Sequence, residues 1–187
     1  MSPPGPRASR PHRRAGETPA VPGSILFPND LLRLAEDVLA GARASGLRIV
    51  AAESCTGGLV SALLTEIAGS SDVFERGYVV YSNRAKSEIL GVPQHLIAEA
   101  GAVSEAVARR MAEGALQRAA VEMAVAVTGI AGPGGGSAEK PVGLVHIAAA
   151  RTTGGTLHER LLLGDIGRGP IRLASVAAAL RLLQRLL

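Results

Sequence analysis

The sequence predicts an α/β fold, a three-layer α/β/α sandwich built on a mixed β-sheet in a single domain. Short apolar runs alternate along the chain with segments of helical periodicity, the order typical of strands connected by helices. Near the C-terminus, two apolar runs flank Thr153-Gly154-Gly155, which predicts a hairpin and makes the sheet mixed rather than wholly parallel. A chain of 187 residues, 47% of them hydrophobic, suits one such core.

Residues 1–23 differ in composition from the rest of the chain. They are rich in Pro, Gly, Ser and Arg and lack apolar periodicity, so we expect a disordered basic tail ahead of a folded domain at 24–187. An Arg-rich, acid-poor start is also compatible with an organelle address, although it lacks the apolar stretch of a signal peptide.

The basic charge of the chain is concentrated at its start. The net charge is +4, and the first 29 residues hold four arginines against one glutamate, so the remainder is nearly neutral. Only four aromatic residues are present, Phe27, Phe74, Tyr78 and Tyr81, too few for a base-stacking platform. We therefore expect no nucleic-acid partner for the folded domain.

The composition also bears on location and cofactors. A single cysteine, Cys55, excludes intramolecular disulfides and multi-cysteine zinc sites, which favours the cytoplasm. No apolar stretch approaches the roughly 20 residues of a membrane helix. His95, His146 and His158 are not spaced like metal ligands, and His146 is typical of a core or sheet-face histidine, so we expect neither metal nor cofactor.

The first third of the domain predicts a helix, a strand and a second helix. Asn29 or Asp30 is a candidate N-cap for a helix that ends at Gly41 or Gly46. The apolar run Leu47–Ala52 predicts a strand that stops at the polar turn 53–58, and helical spacing resumes at Leu59 and continues to Ile67.

The middle of the chain predicts one more strand and two helices. Tyr78–Ser82 is the candidate strand, followed by a short helix that contains Lys86 and ends at Gly91 and Pro93. Ser104 is the expected N-cap of a longer helix that ends at Ala119.

The last third predicts three strands and a terminal helix. Val121–Thr128 is an apolar strand that leads into a glycine-rich loop, 129–137. Val142–Ala150 and Thr156–Leu163 form the hairpin, and the final helix runs from about Gly169 to Leu187, with Pro170 suited to its first turn.

Ligand sites in open α/β sheets form outside the carboxyl ends of strands, so the first polar strand exit, residues 53–58, is a candidate site. Ser54 lies there on a turn that leads into a helix, whose free N–H groups could hold a phosphate or an oxyanion. Alternatively, Ser54 only caps that helix.

The second strand exit, residues 81–86, contains one of only two lysines in the chain. A desolvated lysine can lose its proton, whereas an arginine cannot. Lys86 beside Tyr81 could therefore accept a proton from a serine, as in Ser-Lys hydrolases. The alternative is a solvated helix lysine.

The third strand exit is the glycine-rich segment 128–137. It matches neither the Walker pattern nor G-x-G-x-x-G, since Ser137 stands where the last glycine should be. It is either a flexible loop that approaches a ligand through its backbone or merely a long connection. Cys55 is a weaker candidate nucleophile than Ser54, because no histidine accompanies it locally.

These three exits resemble the CinA C-terminal domain family, whose stand-alone members are nicotinamide-nucleotide amidohydrolases. The chain departs from the family in its N-terminal tail, in an inserted-looking segment at Gly164–Gly167, and in lacking the large N-terminal domain of two-domain relatives. The matching segments are AESCTGGLVSALLTEIAGSSDVF (52–74), GYVVYSNRAKSEILGV (77–92), GAVSEAVARRMAEGA (101–115), AVAVTGIAGPGGGSAEKPVGLVHIA (124–148) and RGPIR (168–172).

The resemblance implies a fold, a reaction and a set of site residues. Nicotinamide mononucleotide would be hydrolysed to nicotinate mononucleotide and ammonia, with Ser54 as nucleophile and Tyr81 and Lys86 as its proton-transfer partners. It also implies that the protein forms a homo-oligomer and that it binds a small pyridine nucleotide as its substrate. The alternative is a non-catalytic nucleotide-binding accessory module linked to competence or DNA damage. The candidate substrate-binding residues are Thr56, Gly57, Gly58, Ser82, Asn83, Thr128, Gly129, Ile130, Ala131, Gly132 and Arg168, the last as a phosphate clamp.

Overall fold

The computed structural model describes residues 26–187, so the predicted tail at 1–23 lies outside the described residues. The predicted helices and strands occur in the predicted order, with an additional short helix at Gln94–Ala100 and a short 3₁₀ turn at Ser70–Asp72. The helices are α1 Asn29–Ala44, α2 Leu59–Glu66, α3 Asn83–Leu90, α4 Gln94–Ala100, α5 Glu105–Ala119 and α6 Arg168–Gln184. The strands are β1 Ile49–Glu53, β2 Phe74–Val79, β3 Met123–Gly129, β4 Leu144–Arg151 and β5 Gly155–Leu162.

The five strands form one mixed sheet in the order β2-β1-β3-β4-β5. Strands β1, β2 and β3 are parallel, and β4 and β5 form the antiparallel hairpin expected from the sequence. Glu53, the last residue of β1, pairs with Val79 on one side and Val127 on the other. The three polar strand exits therefore meet at one edge of the sheet.

Helices cover both faces of the sheet, which confirms the three-layer prediction. In β1, Ile49 and Ala51 pack in a core shared with α1, α2 and α6. Val50 and Ala52 pack in a second core with α3, α4 and α5, as alternating strand side chains must. Gly114 lets α3 approach α5 closely, because a Cβ at this position would lie 1.9 Å from the Leu90 carbonyl oxygen.

Several predicted details are confirmed and others are wrong. Ser104 caps α5, its Oγ accepting from the Val107 N–H, and Pro170 lies in the first turn of α6. The N-cap of α1 is Pro28 rather than Asn29 or Asp30, with no side-chain cap.

The predicted position of the second strand is wrong, and one short helix is absent from the prediction. β2 spans Phe74–Val79 rather than Tyr78–Ser82, because it is an edge strand with mostly exposed side chains and so carries little apolar signal. Helix α4 has seven residues and was not predicted. No helix within residues 26–187 is long and apolar enough to cross a membrane.

Candidate active site

Ser54 lies on a tight turn between β1 and α2. Its N–H donates to the Val127 carbonyl, and its own carbonyl accepts from the Gly57 N–H at 3.1 Å. Gly57 and Gly58 have φ values of +60° and +97°, a region that glycine enters without a steric penalty. The cap position of α2 is Gly58, so Ser54 is not a helix cap and its hydroxyl is free for another role.

The N–H groups at the start of α2 are occupied by Glu53. This carboxylate is 1% exposed. Its Oε2 accepts from the N–H groups of Gly58 and Val60, each at 3.0 Å. Its Oε1 accepts from the N–H and the hydroxyl of Ser61, at 2.9 and 2.7 Å. The Glu53 carboxylate thus compensates the positive end of the α2 dipole, and the amides that it occupies are not available to a ligand.

This arrangement corrects the expected source of oxyanion donors. The sequence predicts that free N–H groups at the start of α2 could hold an oxyanion, but those of Gly57 and Gly58 donate to Ser54 and Glu53. The N–H groups of Cys55 and Thr56 donate to no carbonyl or carboxylate among the described residues. Within residues 26–187, no carbonyl or carboxylate occupies these two amides of the turn, and the Cys55 N–H also lies close to that residue's own thiol.

Lys86 lies beneath Ser54, on α3, and is 1% exposed. Its Nζ donates to Ser54 Oγ at 3.1 Å and to the carbonyl oxygens of Val80 and Tyr81 at 3.0 and 3.3 Å. The hydroxyl of Ser82 caps α3 by accepting from the Ala85 N–H at 3.0 Å. Lys86 is therefore a buried lysine beside a serine, not a solvated one.

The pKa shifts of Lys86 and Cys55 bear on which of the neighbours Ser54 and Cys55 is the nucleophile. Burial lowers the pKa of Lys86, since its hydrogen-bond acceptors are neutral oxygens and no carboxylate contacts it. Burial raises the pKa of Cys55 to about 11, so this thiol is protonated at neutral pH. Of the two neighbours, Ser54 is the one whose side chain accepts a hydrogen bond from Lys86.

Tyr81 and Arg168 meet across the mouth of the site. Tyr81 is 62% exposed, and its hydroxyl accepts from Arg168 Nη2 at 3.4 Å. Arg168, the first residue of α6, also donates from Nη1 to the Gly132 carbonyl at 2.8 Å. The phenol makes no hydrogen bond with Lys86 or Ser54, and Tyr81 contacts Lys86 through its main-chain carbonyl.

A cavity of about 260 Å³ lies over the Ser54–Lys86 pair. Among the predicted site residues it brings together Ser54, Tyr81, Asn83, Lys86, Thr128, Gly129, Ile130, Ala131, Gly132 and Arg168. Thr56, Gly57, Gly58 and Ser82 do not line it. The first three build the turn behind Ser54, and Ser82 caps α3.

One wall of the cavity was not foreseen from the sequence. Ala102 and Val103 line it, and their carbonyls accept from Thr128 Oγ1 at 2.9 Å and from Lys140 Nζ at 2.9 Å. Lys140 also donates to the Ala100 carbonyl at 2.7 Å. These contacts use main-chain oxygens, which carry no residue-type signal.

A second missed residue is Arg172, one turn after Arg168 on α6. Its Nη2 donates to the Thr56 carbonyl at 2.6 Å. The RGPIR segment contains both arginines at helical spacing, and that spacing was the available signal.

His95, His146 and His158 do not line the cavity. His146 on β4 is buried, and its Nδ1 is 3.0 Å from Nε2 of His158 on β5. Burial, followed by the neighbouring His158, lowers the pKa of His146 to about 4. Across residues 26–187, no group of three or more His, Cys, Asp or Glu side chains is placed to hold a metal ion.

The fold and the site define a class: a three-layer α/β domain with a buried Ser-Lys pair at the carboxyl edge of its parallel strands. The family model for the CinA C-terminal domain matches residues 31–187. The chain belongs to the CinA C-terminal domain family.

Relatives and solved structures agree with this assignment. A CinA-like protein of Syntrophobacter fumaroxidans is 52% identical over 145 residues, which cover 78% of this chain but only 34% of that protein. The nicotinamide-nucleotide amidohydrolase PncC of Escherichia coli is 47% identical over 156 residues, which cover 83% of this chain and 93% of PncC. The crystal structure of competence/damage inducible protein CihA from Agrobacterium tumefaciens has a TM-score of 0.85 at 53% identity, covering 87% of this chain and 99% of that one.

Proposed function

We propose that this protein is a nicotinamide-nucleotide amidohydrolase that converts nicotinamide mononucleotide and water to nicotinate mononucleotide and ammonia. The observation that carries the proposal is the 3.1 Å hydrogen bond between Lys86 Nζ and Ser54 Oγ, made by two buried side chains at the floor of a cavity. The similarity to PncC over nearly the whole of that protein supports the substrate class.

In the first step, Ser54 attacks the carboxamide carbon. Lys86, its pKa lowered by burial, accepts the hydroxyl proton as the new C–O bond forms. The amides of Cys55 and Thr56 are the proposed donors to the tetrahedral oxyanion, because they are not engaged elsewhere in the turn.

Collapse of this intermediate breaks the C–N bond and leaves an ester on Ser54. The Lys86 ammonium returns its proton to the departing nitrogen, which leaves as ammonia. A water molecule then attacks the ester carbon while Lys86 takes one of its protons. Lys86 passes this proton to the Ser54 oxygen as the ester C–O bond breaks, and the carboxylic acid product loses its own proton to solvent. The buried lysine acts as base and acid in each half of the cycle.

Tyr81 is proposed as the proton-transfer partner of Lys86. Its carbonyl already helps to hold the ammonium, and its phenol is held at the cavity mouth by Arg168. Tyr81→Phe separates these contributions, since it keeps the carbonyl and the ring but removes the hydroxyl. A lower kcat with unchanged KM supports the phenol in proton transfer, whereas an unchanged kcat limits Tyr81 to holding Lys86.

The substrate is proposed to bind between Arg168 and the loop after β3. Arg168 lies at the N-terminus of α6, where its own charge and the helix dipole both favour an anion such as the nucleotide phosphate. Segment 128–132 and Asn83 also line the cavity and would contact the ribose and the ring.

The test is to incubate the purified protein with nicotinamide mononucleotide and a metal chelator and to follow ammonia and the nucleotide product. We expect equal amounts of ammonia and nicotinate mononucleotide, unaffected by the chelator. Binding of the nucleotide without ammonia would reject the proposed reaction and favour the non-catalytic nucleotide-binding alternative.

A further inference from the structure

Arg172 supports the Ser54 turn from behind. Its Nη2 donates to the Thr56 carbonyl at 2.6 Å, a short hydrogen bond from a charged donor, which is stronger than one between neutral groups. Arg172 does not line the cavity, and its hydrogen bond is to the turn. Any effect it has on the reaction passes through the turn.

The peptide that Arg172 holds is fixed at both ends. The Thr56 carbonyl belongs to the same peptide unit as the Gly57 N–H, which donates back to the Ser54 carbonyl at 3.1 Å. The amides of Gly58 and Val60 are held by Glu53. The Leu59 amide between them donates to the Thr56 carbonyl itself at 3.3 Å. Rotation of the turn is thereby opposed on both sides, and the amides of Cys55 and Thr56 keep one orientation next to Ser54.

The residues around Arg172 do not indicate a different role for it. No carboxylate among the described residues forms an ion pair with it, and both oxygens of nearby Glu53 are engaged by α2. Its Nε is buried without a partner in the described chain, an unfavourable feature that an apolar side chain would avoid. The favourable contact that offsets it is the one to Thr56.

We propose that Arg172 is a positioning residue of the proposed hydrolase: it holds the Thr56 carbonyl so that the Cys55 and Thr56 amides face the oxyanion formed when Ser54 attacks. This inference rests on the proposed function, which supplies the substrate and the reaction. It concerns the reactivity of Ser54, which is measurable without that substrate.

The test compares Arg172→Met, which removes the donor and keeps the stem, with Arg172→Lys, which restores one charged donor. Arg181→Met is the matched control, because Arg181 is an exposed arginine near the other end of the same helix. Two rates are measured on folded protein: nicotinamide mononucleotide turnover, and labelling of Ser54 by a fluorophosphonate, located by mass spectrometry. In the labelling reaction the Ser54 oxygen bonds to phosphorus, fluoride leaves, Lys86 takes the proton, and the phosphoryl oxygen occupies the oxyanion position.

We expect Arg172→Met to lower kcat and the labelling rate by about 10- to 100-fold, with KM within about threefold. Arg172→Lys should recover part of both rates, and Arg181→Met should match the parent protein. Labelling without any ammonia from the parent protein would reject the proposed substrate, and the labelling rates would still decide the role of Arg172.

Three results would overturn the inference. The first is a folded Arg172→Met protein that labels and turns over at the parent rate. The second is a lower Tm with an unchanged labelling rate, which would make Arg172 a purely structural residue. The third is a folded parent protein whose Ser54 does not react with the probe.

Discussion

Two walls of the cavity are constructed in opposite ways. The Ser54 turn, residues 53–58, is buried for most of its length and is held by the Glu53 carboxylate and the Arg172 guanidinium. The glycine loop, residues 129–137, is exposed from Pro133 onward, and its described hydrogen bonds lie mainly at its ends, at Ile130 and Ser137.

The difference matches two requirements of catalysis. A nucleophile must be held within a fraction of an ångström of its productive position, which requires a turn with little freedom. A loop that contacts the nonreacting part of a ligand through its backbone can adapt as the ligand enters. Substitutions in the turn should therefore affect kcat or folding, and substitutions in the loop should affect KM.

The largest expected effect comes from Ser54→Ala. Loss of the attacking hydroxyl should reduce kcat by at least about 10³-fold, while the Tm changes little because the side chain is small. Ammonia release and thermal unfolding measure the two quantities. Cys55→Ala is the control and should stay active. A folded Ser54→Ala protein with near-parent turnover would reject Ser54 as nucleophile.

The next largest effect is on stability, which Glu53→Gln should lower. One oxygen of the carboxylate becomes an NH₂ group that must face donors of Ser61 or of the α2 backbone, so buried donors lose their acceptor. We expect the free energy of unfolding to fall by about 2–4 kcal/mol in denaturant titrations. Glu36→Gln, on the exposed face of α1, should be neutral. A neutral Glu53→Gln would show that the turn does not depend on the carboxylate.

A smaller effect distinguishes two glycines of the loop. Gly132 has a φ of +73°, and a Cβ there would lie 2.7 Å from Val142 Cγ1, whereas a Cβ at Gly134 meets nothing within 4 Å. We expect Gly132→Ala to raise KM by about tenfold with kcat within about threefold, and Gly134→Ala to change both less. If Gly132→Ala lowers kcat and leaves KM unchanged, the claim that the glycine loop affects substrate binding and the Ser54 turn affects turnover is wrong.

The framework of the fold was predictable because it depends on periodicity. The order of strands and helices, the hairpin and the Ser104 cap follow from residue patterns that the structure confirms. The exposed edge strand β2 and the seven-residue α4 were not predictable, since neither carries a strong apolar period.

The site was predictable in outline and not in its hydrogen bonding. Parallel strand ends placed Ser54 and Lys86 at the same edge, and the structure adds that Nζ reaches Oγ. The occupation of the α2 amides by Glu53 could not be foreseen, because strand alternation alone does not say that a carboxylate folds over the helix terminus. The catalytic roles, a homo-oligomeric state and a cytoplasmic location stay predictions.

The central claim is that Lys86 moves a proton for Ser54 rather than merely supplying positive charge. Lys86→Arg keeps the charge but cannot release a proton near neutral pH, and Lys86→Met removes the amine at similar length. Arg84→Lys, at an exposed arginine on the same helix that does not line the cavity, is the control. Folding is checked by thermal unfolding and nucleotide binding by calorimetry.

The measurement that decides the claim is kcat for Lys86→Arg with saturating nicotinamide mononucleotide. The account predicts a loss of at least about 10²-fold with nucleotide binding preserved, and near-parent kcat for Arg84→Lys. A folded Lys86→Arg protein that turns over near the parent rate would contradict it.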